Sequence, residues 1–148
     1  MSYNIKYVFD EESGSSICML ETKHNGTFVG TAQCREEDRD MMNEKTGCEI
    51  AYRRAKIKYV QNKRDKLAGE LAGLKKYYYS VCNSKYYNPG DYMEIMLQRQ
   101  IEMKEEDLEY LKETLAEYKW DLKDYMKRKG EFYDKIRKTR KAKLDKAD

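Results

Sequence analysis

From Leu97 to Ile136 the chain repeats one spacing. Leu97, Ile101, Lys104, Leu108, Leu111, Leu115, Tyr118, Leu122, Tyr125, Lys129, Phe132 and Ile136 are separated by alternating steps of four and three residues. Ten of these twelve positions are apolar, the exceptions being Lys104 and Lys129, and the alternation has no stutter. Such a stripe belongs to a long helix that packs lengthwise against another helix. The partner is legible upstream. Ile50, Ile57, Val60, Leu67, Leu71, Leu74, Tyr78 and Val81 mark a second seam, from about Cys48 to Val81, through which Arg53 and Arg64 also pass. The only proline, Pro89, lies between the two, so neither helix is interrupted. Asp91 with Glu94 three residues on resembles a capping box, which starts the last helix. That helix is expected to run to about residue 140. At 1.5 Å per residue the two helices reach roughly 50 and 70 Å. The surplus apolar stripe at the C-terminal end calls for a partner, so at least a homodimer is expected.

The first third reads as strands. Asn4–Phe9 is rich in β-branched and aromatic residues, and a turn cluster at Glu11–Ser15 separates it from Ile17–Leu20. His24-Asn25-Gly26 carries the Asn-Gly hairpin signal, and Thr27–Cys34 follows as a third strand. Gly30 inside it points to a bulge or a close backbone approach. Arg35-Glu36-Glu37-Asp38 opens a short helix, with Thr46-Gly47 interrupting before the long one. The expected fold is α+β, one elongated domain. Residues 1–34 form an antiparallel β-meander and 35–81 a short and a long helix. Residues 82–90 are a connection, and 91–148 are a second long helix, antiparallel to the first.

Charged residues make up 39% of the chain and hydrophobic ones 40%, which suits exposed helix faces better than a compact globule. Net charge is +3, too small for a dedicated polyanion binder, although residues 137–148 carry six Lys/Arg against two Asp. That tail reads as a solvated helix end or, more sharply, a phosphate-binding segment. Cys18, Cys34, Cys48 and Cys82 form no CxxC pair and the one histidine is His24, so no metal site is expected. No leader pattern and no apolar run of about 18 residues occur, which points to a cytoplasmic protein with reduced thiols.

No glycine-rich phosphate loop and no nucleophile–base pair is present, and no cofactor is called for. The expectation is a binding protein, not an enzyme. Fourteen tyrosines outnumber three phenylalanines and one tryptophan, and they cluster with lysines at Lys75–Tyr79 and Lys85-Tyr86-Tyr87. Tyrosine suits half-wet helix seams, and it also stacks bases beside cations that hold phosphates. The connection is freed from seam packing, so Lys85, Tyr86, Tyr87 and Asn88, with Tyr92 and Arg99 in the first turns of the last helix, are the candidate ligand-binding residues. Arg53 and Arg64 read either as edge residues with hydrated heads or as a polar pocket in the stripe.

One segment resembles a known pattern. Phe28-Val29-Gly30-Thr31-Ala32-Gln33-Cys34-Arg35-Glu36-Glu37-Asp38, then Glu44-Lys45-Thr46-Gly47-Cys48-Glu49-Ile50-Ala51-Tyr52-Arg53-Arg54-Ala55-Lys56-Ile57-Lys58, combines a Gly-x-Ala-x-Cys strand, an acidic helix start, a glycine and Ile-Ala-x-x-Arg-Ala. It resembles the phage-encoded Thoeris anti-defence sponges, over about residues 3–60 by motif and beyond them by architecture. The resemblance implies a protein of the host-cell cytoplasm that traps cyclic ADP-ribose-type or cyclic nucleotide immune signals without degrading them. It carries Arg54 over as a ligand-binding candidate. The alternatives are a coiled-coil inhibitor of a host defence effector or nuclease, and a nucleic-acid binder using the basic tail, which the small net charge argues against.

Overall fold

A computed structural model of the chain describes residues 2–35 and 43–147. Strands β1 (Asn4–Asp10), β2 (Ser15–Glu21) and β3 (Thr27–Gln33) precede helices α1 (Glu44–Cys82) and α2 (Tyr92–Ala147). The α+β class, the meander and the helical hairpin are as the sequence predicts. Most of the expected short helix at Arg35–Asp38 lies outside the described residues. Thr46-Gly47 does not interrupt a helix: both residues sit in the first turn of α1. Asn43 explains the earlier start. Its Oδ1 accepts from the Lys45 amide at 2.9 Å, and its carbonyl accepts from the Gly47 amide at 3.1 Å, capping the turn ahead of Gly47.

The sheet is antiparallel in the order β1-β2-β3. Its turns follow their local chemistry. Asp10 Oδ1 accepts from the Glu12 amide and Oδ2 from Ser13, and Gly14 takes φ 68°. In the second turn the Asn25 amide donates to Thr22 Oγ1, which itself donates to the Gly26 carbonyl, with Gly26 at φ 81°.

The chain divides into two compact units, Met1–Tyr59 with Glu117–Asp148, and Val60–Ala116. In the first, here the sheet unit, alternation places Ser16, Cys18 and Leu20 on one buried face of β2, with Phe28, Gly30 and Ala32 beside them on β3. Ala51, Ala55 and Tyr59 of α1 pack on this face. The approach is close because the residues are small. A Cβ on Gly30 would collide with the Ala51 carbonyl, and one on Gly47 would collide with Ser16 Oγ. Gly47, Ala51, Ala55 and Tyr59 follow at four-residue steps, one ridge of a helix. Tyr59 closes that ridge, edge-on to Tyr3 at 5.7 Å and tilted against Phe28 at 5.2 Å.

Within the same unit α2 runs alongside α1. Arg53 Nε donates to Asp121 at 2.9 Å, and its guanidinium lies 4.1 Å from the centre of the Tyr125 ring. Lys56 sits over Tyr118 at 4.5 Å. Tyr118, Leu122, Tyr125, Lys129 and Ile136 are all half-buried or buried, whereas Phe132 is 54% exposed. The C-terminal stripe therefore has cover within its own unit, and an uncovered stripe no longer argues for self-association.

The second unit, the helix unit, has a thinner core of Val60, Leu71, Leu97 and Leu115. Exposed ion pairs flank it, Lys104 with Glu70 and Lys75 with Glu105, each at 3.1 Å. Arg64 pairs with its neighbour Asp65. At the start of α2 the capping box is displaced by one residue. Glu94 Oε2 accepts from the Gly90 amide at 2.9 Å, while the Asp91 amide donates to the Asn88 carbonyl. Among the described residues no helix is long and apolar enough to cross a membrane.

Candidate ligand site

The sheet unit contains a cavity of about 400 Å³. Four segments of the fold meet around it. Phe9, Gly14 and Ser16 come from the first hairpin, and Ala32 to Arg35 from the end of β3. The capped first turns of α1 add Asn43, Thr46, Gly47 and Ile50. The α2 wall presents Met126, Lys129, Gly130, Tyr133, Asp134 and Arg137 at helical spacing. Gly130 opens that wall, since a Cβ there would meet nothing within 4 Å.

The described lining carries three cations, Arg35, Lys129 and Arg137, against one carboxylate, Asp134, which Arg137 Nη1 contacts at 2.7 Å. Lys129 lies 5.6 Å from the Tyr125 ring centre and 5.9 Å from that of Phe132, so its stem is held against the helix. Ser16 is 1% exposed and its Oγ has no hydrogen-bond partner. Burial, and then the Glu44 carboxylate, raise the Cys48 thiol above its ordinary pKa, and the nearby Ser16 hydroxyl lowers it by less. Burial also pushes the Cys18 thiol up to about 11. Both thiols are therefore protonated at neutral pH and poor nucleophiles. His24 is exposed in the β2–β3 turn and does not line the cavity. Cations beside two aromatic rings (Phe9 and Tyr133), amides and hydroxyls suit a phosphorylated ligand that carries a base.

The residues singled out from sequence are divided by the fold. Tyr86, Tyr87 and Asn88 line a smaller cleft of about 210 Å³ in the helix unit, together with Asp91, Met93 and Glu94. Lys85, Tyr92 and Arg99 are exposed and line neither hollow. The cleft's charged walls are carboxylates. Glu94 is held below the usual carboxylate range by the Gly90 amide and then by the Tyr87 hydroxyl. The hydrogen bond to Glu94 in turn pushes Tyr87 up to about 12. Tyr87 is thus part of the helix cap, and an anion there would meet negative charge before the helix terminus.

Arg54 belongs to the sheet unit. Its Nη1 donates to the Thr31 carbonyl at 2.6 Å and its Nη2 contacts Met126 Sδ at 3.8 Å. The cavity residues missed from sequence left two traces. Lys129 is one of the two breaks in the apolar seam, and Arg137 opens the basic segment 137–148. The rest of that segment through Lys146 is exposed helix. In comparisons with known protein families, curated proteins and solved structures, nothing matches this chain.

Proposed function

We propose that this protein binds and sequesters a small phosphorylated ligand of the cyclic nucleotide or cyclic ADP-ribose type, in the sheet-unit cavity, without converting it. The observation that carries the reading is the cavity lining, in which three cations face one carboxylate beside Tyr133 and Phe9. Its volume lies within the range typical of small-molecule sites. Phosphate groups need cations and a base needs a ring face, whereas sequestration needs no nucleophile. Service as a phage anti-defence protein in the host cytoplasm rests on the resemblance of residues 28–58 to the Thoeris sponges. The connection cleft, with Tyr86, Tyr87 and Asn88, is the competing location; its carboxylates make it the weaker anion site.

The test is recovery of the ligand. Purified protein is screened by thermal shift against cyclic ADP-ribose isomers and cyclic nucleotides. A ligand at a hundred times its dissociation constant stabilises by about 2.7 kcal/mol. The complex is then heat-denatured and the supernatant weighed by mass spectrometry. The proposal predicts stoichiometric release of unchanged ligand. Release of a hydrolysed product would make the protein an enzyme, and no shift with any of these compounds would reject the ligand class.

A further inference from the structure

The two edges of the sheet are treated differently. On β3, Lys58 Nζ donates to the Val29 carbonyl at 2.7 Å and Arg54 Nη1 to the Thr31 carbonyl. Two long cations from α1 thereby occupy acceptors that an incoming strand would need. On β1 the corresponding groups can be identified from the register. The Thr22 amide bonds the Gly26 carbonyl and the Cys34 amide bonds the Gly14 carbonyl. These bonds bracket the β2–β3 ladder and fix its parity. Ser16–Ala32, Cys18–Gly30 and Leu20–Phe28 are its hydrogen-bonded pairs. The odd residues of β2 therefore bond β1, through Val8–Ile17 and Lys6–Met19. This leaves the amides and carbonyls of Ile5, Tyr7 and Phe9 facing outward. Among the described residues no hydrogen bond reaches them. The side chains on this strand are also poorly covered, with Ile5 42%, Tyr7 49% and Val8 49% exposed.

We infer that the β1 edge is a homodimer interface, in which two copies pair β1 antiparallel about a two-fold axis at Tyr7 and merge their sheets. The strand is self-complementary in that register. Tyr7 faces the second copy's Tyr7 and Ile5 faces its Phe9, all of them outward-bonding residues on the helix-covered face. Three such pairings exchange about six backbone hydrogen bonds. On the opposite face Lys6 meets Val8 and Asn4 meets Asp10, so no like charges stand directly opposite; Lys6 lies diagonal to the second copy's Asp10 and Lys6, and its own charge is paired with Glu21. A second copy thus satisfies the backbone and the exposed apolar side chains together, which an unrelated strand does only by coincidence of register.

Sedimentation of the full chain tests this. The wild type is expected at twice the 17.7 kDa chain mass. Tyr7→Pro, which removes an outward amide at the axis, is expected at the chain mass with unchanged circular dichroism. Amide exchange gives a readout that needs no variant. Ile5, Tyr7 and Phe9 amides in the wild type should slow by about tenfold or more between dilute and concentrated protein. A monomeric wild type overturns the inference, as does a folded Tyr7→Pro dimer or a concentration-independent exchange rate at these three amides.

Discussion

The sheet unit and the helix unit use the same two helices to different ends. In the sheet unit three strands cover one side of α1, and the core includes Cys18, Leu20, Ala51 and Ala55 with no exposed surface. Close approach is obtained with Gly30, Gly47 and alanines, and a cavity is left where the hairpin, the start of α1 and α2 meet. In the helix unit a two-helix seam has only one apolar stripe to bury, and exposed ion pairs and tyrosines flank it. A third layer therefore does more than add buried area. It surrounds one hollow with strand, α1 and α2 side chains, whereas the hollows of the helix unit are lined only by its helices and their connection.

The same substitution should have opposite signs in the two units. Gly30→Ala drives a Cβ into the Ala51 carbonyl, backbone that cannot step aside, and is expected to destabilise by about 3 kcal/mol or more. Gly73→Ala in the helix unit meets nothing within 4 Å and should stabilise by about 0.5–1 kcal/mol through helix propensity. Urea unfolding of both variants measures this. Equal effects of the same sign would erase the distinction drawn between close-packed and open helix faces.

Charge interactions should follow the same divide on a smaller scale. Arg53 is held by Asp121, Glu49 and the Tyr125 ring, and its side chain is 21% exposed. Arg53→Ala is expected to cost about 1–2 kcal/mol. Lys104→Ala loses one exposed pair with Glu70 and should cost no more than about 0.5 kcal/mol. A double-mutant cycle between Arg53 and Asp121 that gives no coupling would place Arg53 with the surface pairs.

The smallest effect concerns pH. Glu94 has a folded pKa below its ordinary value, so its contribution is present above the unfolded pKa and is lost as pH falls through the folded one. The start of α2 should therefore loosen below about pH 4, with faster amide exchange at Gly90, and Glu94→Gln should abolish that dependence. An acid response unchanged in the variant would assign it to another carboxylate.

The elements were legible because each rests on local signals. The 4-3 seam, the Asn-Gly turn, the lone proline and the Asp91–Glu94 pair each specify structure over a few residues. Gly30 was readable as a close approach, although its partner Ala51 was not. The start of α1 differs from the sequence expectation because Gly47 has the composition of a helix breaker, while the Asn43 cap and the contact with Ser16 that requires a glycine arise only in three dimensions. The cavity was illegible for a related reason, since its walls come from four segments spread along the chain from Phe9 to Arg137. Much of the pattern that resembles the sponge family is engaged in packing. Gly30, Ala32, Gly47, Ala51 and Ala55 make the sheet–helix contact, and Arg54 holds the β3 edge. The tyrosine-rich connection stands out by composition, and in the fold Tyr87 is hydrogen-bonded to the carboxylate that caps α2.

The central claim, that the layered unit holds the ligand, is tested most directly by calorimetry on two double variants shown to stay folded. Tyr133→Ala with Arg137→Ala alters the cavity, and Tyr87→Ala with Arg99→Ala alters the connection. With a cyclic ADP-ribose isomer or cyclic nucleotide that the wild type binds, the first is predicted to lose at least tenfold in affinity, about 1.4 kcal/mol. The second should stay within about twofold, or about 0.4 kcal/mol. A wild type that binds none of these compounds, or a loss confined to the connection variant, would contradict the account.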